Sequence, residues 1–127
     1  TGRTRADVAV SVTAFAVTTP GEAEYARAQV AFYASTPSYK AVMEFHGWGG
    51  TAAQLSALAA KGAWGEMPGL VTDEMLGEFC LISEEANLGA ELKRRYAGLA
   101  DRLALYIPFT PGERDDWWKA LAGSLRD

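Results

Sequence analysis

The only histidine in the chain, His46, sits in its densest run of groups able to hold or act on an organic molecule, Tyr33 to Gly50. Imidazole gives or takes a proton near neutral pH. Tyr33, Tyr39 and Trp48 offer flat apolar faces with a polar tip. Gly47, Gly49 and Gly50 let backbone come close to a neighbour. The run is too irregular for one helix and too rich in turn formers for one strand. It reads as a loop folded over a pocket, or else as a connector whose aromatics pack on the layer beneath.

Other chemistry is narrowed by what the sequence contains. No serine or cysteine nucleophile accompanies the histidine, so a catalytic triad is not expected. One cysteine and one histidine give no zinc cluster and no internal disulfide, so no metal site is expected. Glycine-rich nucleotide fingerprints of the dinucleotide or Walker type are missing. A net charge of −4 and a pI near 5.0 argue against a nucleic-acid partner. The apolar run Val8–Val17 follows Arg3 and Arg5, but Ser11 and Thr13 interrupt it and it is too short to span a membrane. Cysteine usage points to the cytoplasm. The chain opens at Thr1, and its first methionine is Met43, which suggests a segment of a longer protein.

The elements around the central run follow from periodicity. Asp7–Thr18 reads as a strand, with apolar or small residues on both faces, the composition of a central parallel strand. Thr19-Pro20-Gly21 starts a helix with Thr19 as cap, and Glu22 and Glu24 complement its dipole. Tyr25, Ala28, Gln29 and Phe32 carry that helix to about Tyr33. Thr51-Ala-Ala-Gln54 has the form of a capping box for a helix that Gly62 ends. Trp64, Met67, Leu70 and Val71 suggest a short helical piece, and Met75, Leu76 and Phe79 another. Phe79–Ile82 reads as a short apolar strand with Cys80 buried in it. Ser83 is expected to cap a helix bearing Leu88, Leu92, Tyr96 and Leu99, stopped by Gly98, with Lys93–Arg95 complementing its dipole. Arg102–Ile107 is a third strand, and a last helix carries Trp117 or Trp118, Leu121 and Leu125.

Strands alternating with helices mean an α/β fold with parallel pairing. With 127 residues and 49% hydrophobic content the chain is expected to form one partial domain, residues 1–127. Three strands are too few for a closed barrel, which takes about eight such units.

Several stretches together resemble a known family. The strand VAVSVTAFAVTT, the helix ending QVAFYASTPSY, then VMEFHGWG, GAWGEMPGLVTDEML and DRLALYIPF are similar to the C-terminal part of bacterial luciferase-like oxidoreductases. The likeness is greatest to the branch that uses the deazaflavin coenzyme F-420. It implies the last three βα units of a TIM (β/α)8 barrel, an incomplete barrel with a helical insertion. It also implies hydride transfer between FMN or coenzyme F-420 and a small organic substrate. In that frame the run 33–50 could reach the catalytic mouth by crossing the rim. His46 would then be the catalytic proton donor or hydrogen-bond partner, and Tyr33, Tyr39 and Trp48 the substrate wall; otherwise these residues are packing. Where the family has a glycine and then a proline after the seventh strand, this chain has Ser83 and Glu85. The family's main cofactor contacts lie on earlier strands, so no tight cofactor binding by this chain alone is expected. Exposed strand edges along Val8–Val17 or Arg102–Ile107 predict a homo-oligomer. The alternative is a non-catalytic dimerising scaffold derived from the same fold.

Overall fold

Seven residues, Ser11–Val17, carry small or apolar side chains on both faces and form β1. A computed structural model describes residues 2–126. It shows an α/β arrangement in which β1 is the centre of a three-stranded parallel sheet, between β2 (Cys80–Ile82) and β3 (Arg102–Tyr106). β1 pairs with β3 from Ser11↔Arg102 to Phe15↔Tyr106, and with β2 from Phe15↔Cys80 to Val17↔Ile82. Consecutive barrel units would seat the second strand in the middle. Here the first strand takes that place, pairing through its first five residues with β3 and its last three with β2. β3, not β1, is therefore the longer strand with a free outer edge.

The chain divides into two compact units, one of residues up to Glu22 with those from Cys80 onward, the other Ala23–Phe79. In the first unit Ala14 and Ala16 are small enough to let two helices close over the sheet. These are α5 (Leu88–Tyr96) and α6 (Asp115–Ser124). Leu81, Leu88, Leu92 and Leu121 complete the buried cluster. Gly89 permits the close approach of α5 to α6, because a Cβ there would lie 2.2 Å from Ser124 Oγ. At the amino edge of the sheet Asp101 accepts the Val10 N–H at 2.7 Å and pairs with Arg5 at 3.0 Å. An open apolar groove of about 330 Å³ runs between β3 and α6, lined by Leu103, Leu105, Ile107, Trp118 and Leu125 among others.

The second unit is helical. It holds most of α1 (Pro20–Ala34), then α2 (Lys40–Phe45), α3 (Gly49–Ala60) and α4 (Asp73–Phe79), with 3-10 turns at Pro37–Tyr39 and Met67–Leu70. Its buried side chains include Met43, Leu55, Met67 and Leu76. Ser56 donates to the Ser35 carbonyl at 2.5 Å, tying α3 to the end of α1. Arg27 donates to the Val71 carbonyl at 2.6 Å and pairs with Asp73, tying α1 to the start of α4.

Several expected boundaries move, each for a local reason. β1 begins at Ser11 because Asp7 turns back to accept the Thr4 N–H and hydroxyl, holding Arg5–Asp7 in a 3-10 turn. Phe79 ends α4 and is not in the strand. The run 33–50 is mostly helical. At its centre Gly47 (φ 81°) closes a Schellman turn, the Trp48 N–H reaching Met43 O and the Gly47 N–H reaching Glu44 O. The turn feeds straight into α3, which starts at Gly49, so Thr51 lies inside the helix and caps nothing. Ser83 does not cap α5 either. Its N–H extends the ladder to Val17 O and its hydroxyl donates to Glu84 O. Trp64 is half exposed, whereas Met67 is core.

Leu88 and Leu92 are fully buried, so either Leu→Ala change should cost about 2–5 kcal/mol. Phe45, with 86% of its surface exposed, should tolerate alanine within about 0.5 kcal/mol. Urea unfolding of the variants measures both; equal costs at the two kinds of position would contradict the assigned core.

Candidate functional site

The Schellman turn sets the geometry around the histidine. It places His46 and Trp48 two residues apart on a reversing backbone, so their rings stack at 4.9 Å with planes 15° apart. Phe79, from the end of α4, meets both rings edge-on at 5.7 Å, and Phe45 meets His46 at 5.3 Å. His46 is half-buried, and among the described residues its side chain has no hydrogen-bond partner. A second aromatic group forms where α1 ends. Tyr33 meets Tyr39 at 5.6 Å and Phe32 at 5.5 Å, and Phe32 lies 6.2 Å from Trp64. The four residues singled out in the sequence thus fall into two pairs, His46 with Trp48 and Tyr33 with Tyr39. Such clusters fix ring planes and provide apolar walls; they contain no second titratable group paired with the imidazole.

The first unit has a different cluster at the carboxyl edge of its sheet. Glu22 follows β1, Glu85 follows β2 and Arg114 follows β3, so parallel pairing brings all three loops to one edge. Thr19 caps α1 by accepting the Glu22 N–H at 3.2 Å, and Glu22 Oε2 accepts the Thr19 N–H at 3.2 Å, a reciprocal capping box. The same oxygen accepts the Thr18 N–H at 2.6 Å and the Thr18 hydroxyl at 2.8 Å. Arg114 Nη1 donates to Glu22 Oε1 at 2.7 Å, and Nη2 donates to Glu85 Oε1 at 2.6 Å. The guanidinium carbon lies 4.0 Å from the Trp117 ring centre, within cation–π range. Arg114 adopts a left-handed backbone (φ 58°, ψ 26°) at the start of α6, a conformation costing about 1–2 kcal/mol for an L-residue. Its two ion pairs and its ring contact offset that cost.

Burial alone would push the Glu22 carboxyl up. The Thr18 N–H, the Arg114 hydrogen bond, the Thr18 hydroxyl and the Arg114 charge outweigh it and hold the group below its ordinary value of 4.5. Sequence reading caught the cap and the dipole at Glu22 but missed its partner, 92 residues away. Nothing local marks Arg114 as left-handed or as the shared donor of two carboxylates.

The luciferase-like monooxygenase family model matches residues 1–102, four-fifths of the chain and parts of both units. The chain belongs to that family. Similar proteins include an uncharacterized protein of Mycobacterium tuberculosis and another of Mycobacterium bovis. Each is 39% identical over 108 residues, a match covering 80% of this chain and 32% of the relative. The chain therefore spans about a third of the length of the curated relatives it matches. No solved structure gives a significant match. Among the described residues no helix is long and apolar enough to cross a membrane, and no group of three potential metal ligands converges.

A luciferase-like fold raises the question of where a flavin-class cofactor would place its phosphate. The carboxyl edge described here does not fit one. Its backbone donors at Thr18 and Thr19 are taken by Glu22, and its guanidinium is taken by Glu22 and Glu85. Asp115 and Asp116 add negative charge in the first turn of α6. A phosphate there would meet like charge.

The pH dependence of stability follows from Glu22. Its folded-state value lies below its unfolded one, so its contribution is complete above about 4.5 and is lost as pH falls through the depressed value. Glu22→Gln should cost about 1–3 kcal/mol at neutral pH, since it leaves a charged donor poorly matched. The gap between wild type and variant should narrow on acidification to about pH 3. Denaturant unfolding at the two pH values tests this; a gap of constant size would mean that charge contributes nothing.

Proposed function

We propose that this chain is the C-terminal segment of a luciferase-like flavin- or F-420-dependent oxidoreductase or monooxygenase, folded in the parent as the last βα units of a TIM barrel. The family match over residues 1–102 supports the reading. The redox chemistry is the cofactor's. This segment's own part is on the substrate side: the Tyr33–Tyr39 and His46–Trp48 pairs supply flat apolar wall, and the unpartnered imidazole supplies a donor or acceptor for one polar atom of a small organic substrate. On this reading FMN or coenzyme F-420 is held by parts of the parent enzyme that this chain does not span, in keeping with the acid-lined strand ends. The cytoplasm is the compartment this reading assigns.

In a full-length enzyme carrying this segment, His46→Ala should lower turnover by about 10²–10⁴-fold if the imidazole moves a proton. The melting temperature should change much less than the turnover, because the ring is only half-buried and its contacts with Trp48, Phe45 and Phe79 are ring contacts at one turn. A variant that melts much earlier but keeps its specific activity would make the cluster scaffold.

The apolar groove beside the free edge of β3 favours a second reading, a dimerising module without catalysis, in which a second copy covers the groove. On that reading the isolated chain sediments as a dimer at micromolar concentration, and Leu105→Lys returns it to a monomer. A wild-type chain that sediments as a clean monomer would exclude it.

A further inference from the structure

A side-chain carboxylate in a capping box ordinarily accepts one backbone N–H. Glu22 accepts far more. Its Oε2 takes the N–H groups of Thr18 and Thr19 and the Thr18 hydroxyl, at 2.6, 3.2 and 2.8 Å, and its Oε1 takes Arg114 Nη1 at 2.7 Å. The residue is only 6% exposed. Successive backbone donors at a helix start, a hydroxyl and a guanidinium are the group set that holds small oxyanions in proteins. They come from two places in the sequence, the β1–α1 turn and the loop after β3, so capping of α1 alone does not account for the set. The guanidinium is further fixed by Glu85 at 2.6 Å and by the Trp117 ring.

We propose that the carboxyl edge of this sheet contains an oxyanion site whose resident anion is the chain's own Glu22 carboxylate, and that free phosphate, sulfate or carboxylate is thereby excluded from it. The tether gives Glu22 a high effective concentration at the donors. An incoming anion would have to displace it and then sit beside it, with Glu85 also at hand. Removing the tethered carboxylate leaves a preformed cradle of matching charge, with Glu85 still bound to the other guanidinium nitrogen.

The test compares the wild-type chain, Glu22→Ala, and Glu22→Ala with Arg114→Gln. Thermal unfolding is followed by circular dichroism in sodium chloride, sodium formate and sodium sulfate at matched ionic strength. Formate is the nearest free analogue of the missing group. Sulfate strengthens most folds, so every shift is taken relative to wild type in the same salt. Formate should raise the melting temperature of Glu22→Ala by about 5 °C over chloride, with little effect on wild type. The double variant should lose that response. Equal shifts in wild type and Glu22→Ala, or a shift that survives Arg114→Gln, would overturn the proposal. If Glu22→Ala is unfolded in chloride, recovery of its helical signal in formate is the readout, and failure to recover it in either oxyanion overturns the proposal equally.

Discussion

One buried carboxylate holds the strand ends of the first unit in place. Glu22 joins the first turn of α1 to the end of β1 through Thr18 and Thr19, and to the loop after β3 through Arg114. Arg114 in turn reaches the loop after β2 through Glu85. A sheet whose second strand has only three residues has few ladder bonds on that side, so this bridge does much of what a longer strand would do. At the opposite edge Asp101 has a lighter version of the same task, binding Val10 and Arg5 in solvent, where the interaction is weak. The sheet is thus clamped at both ends by acidic side chains that accept backbone N–H groups.

The constraint also bears on chemistry. The carboxyl ends of parallel strands are where α/β folds place ligands, because helix starts there leave backbone donors free. This chain uses those donors internally. Its acid-lined edge and the aromatic clusters of its second unit are suited to different partners: the edge repels anions, and the clusters offer flat contact area. That contrast is why we propose a substrate-side role for the residues around His46 and place a cofactor's phosphate elsewhere.

Much of the fold was legible where local chemistry decides it. The apolar and small residues on both faces of Asp7–Thr18 marked a central strand; the strand is central, though it covers only Ser11–Val17. Thr19 with Glu22 marked a helix start, and Gly62 a helix end. Alternation of strands and helices implied parallel pairing but left the strand order open; the first strand lies between β2 and β3. The run 33–50 was misread as a loop: Gly47 is needed for a positive φ, but Gly49 and Gly50 occupy the first turn of α3, where glycine signals no loop. Within the candidate sites, the sequence grouped His46, Trp48, Tyr33 and Tyr39 in one run, but their division into two ring pairs depends on the turn at Gly47 and the end of α1. The Glu22–Arg114–Glu85 bridge was not legible, since it depends on three loops that meet only once the strands are parallel and in register.

The turn through His46, Gly47 and Trp48 has a consequence for how this segment can vary in length. A Schellman turn has a fixed residue count between its paired groups, here from Met43 to Trp48. Inserting or deleting one residue would rotate α3 by about 100° about its axis, the angle per residue of an α-helix. Leu55 and Ala52, both buried, would turn toward solvent, and the exposed Ala53 or Gln54 would turn inward. Indels are therefore forbidden at this point even though it is a turn between two helices at the surface, where length changes are ordinarily tolerated best.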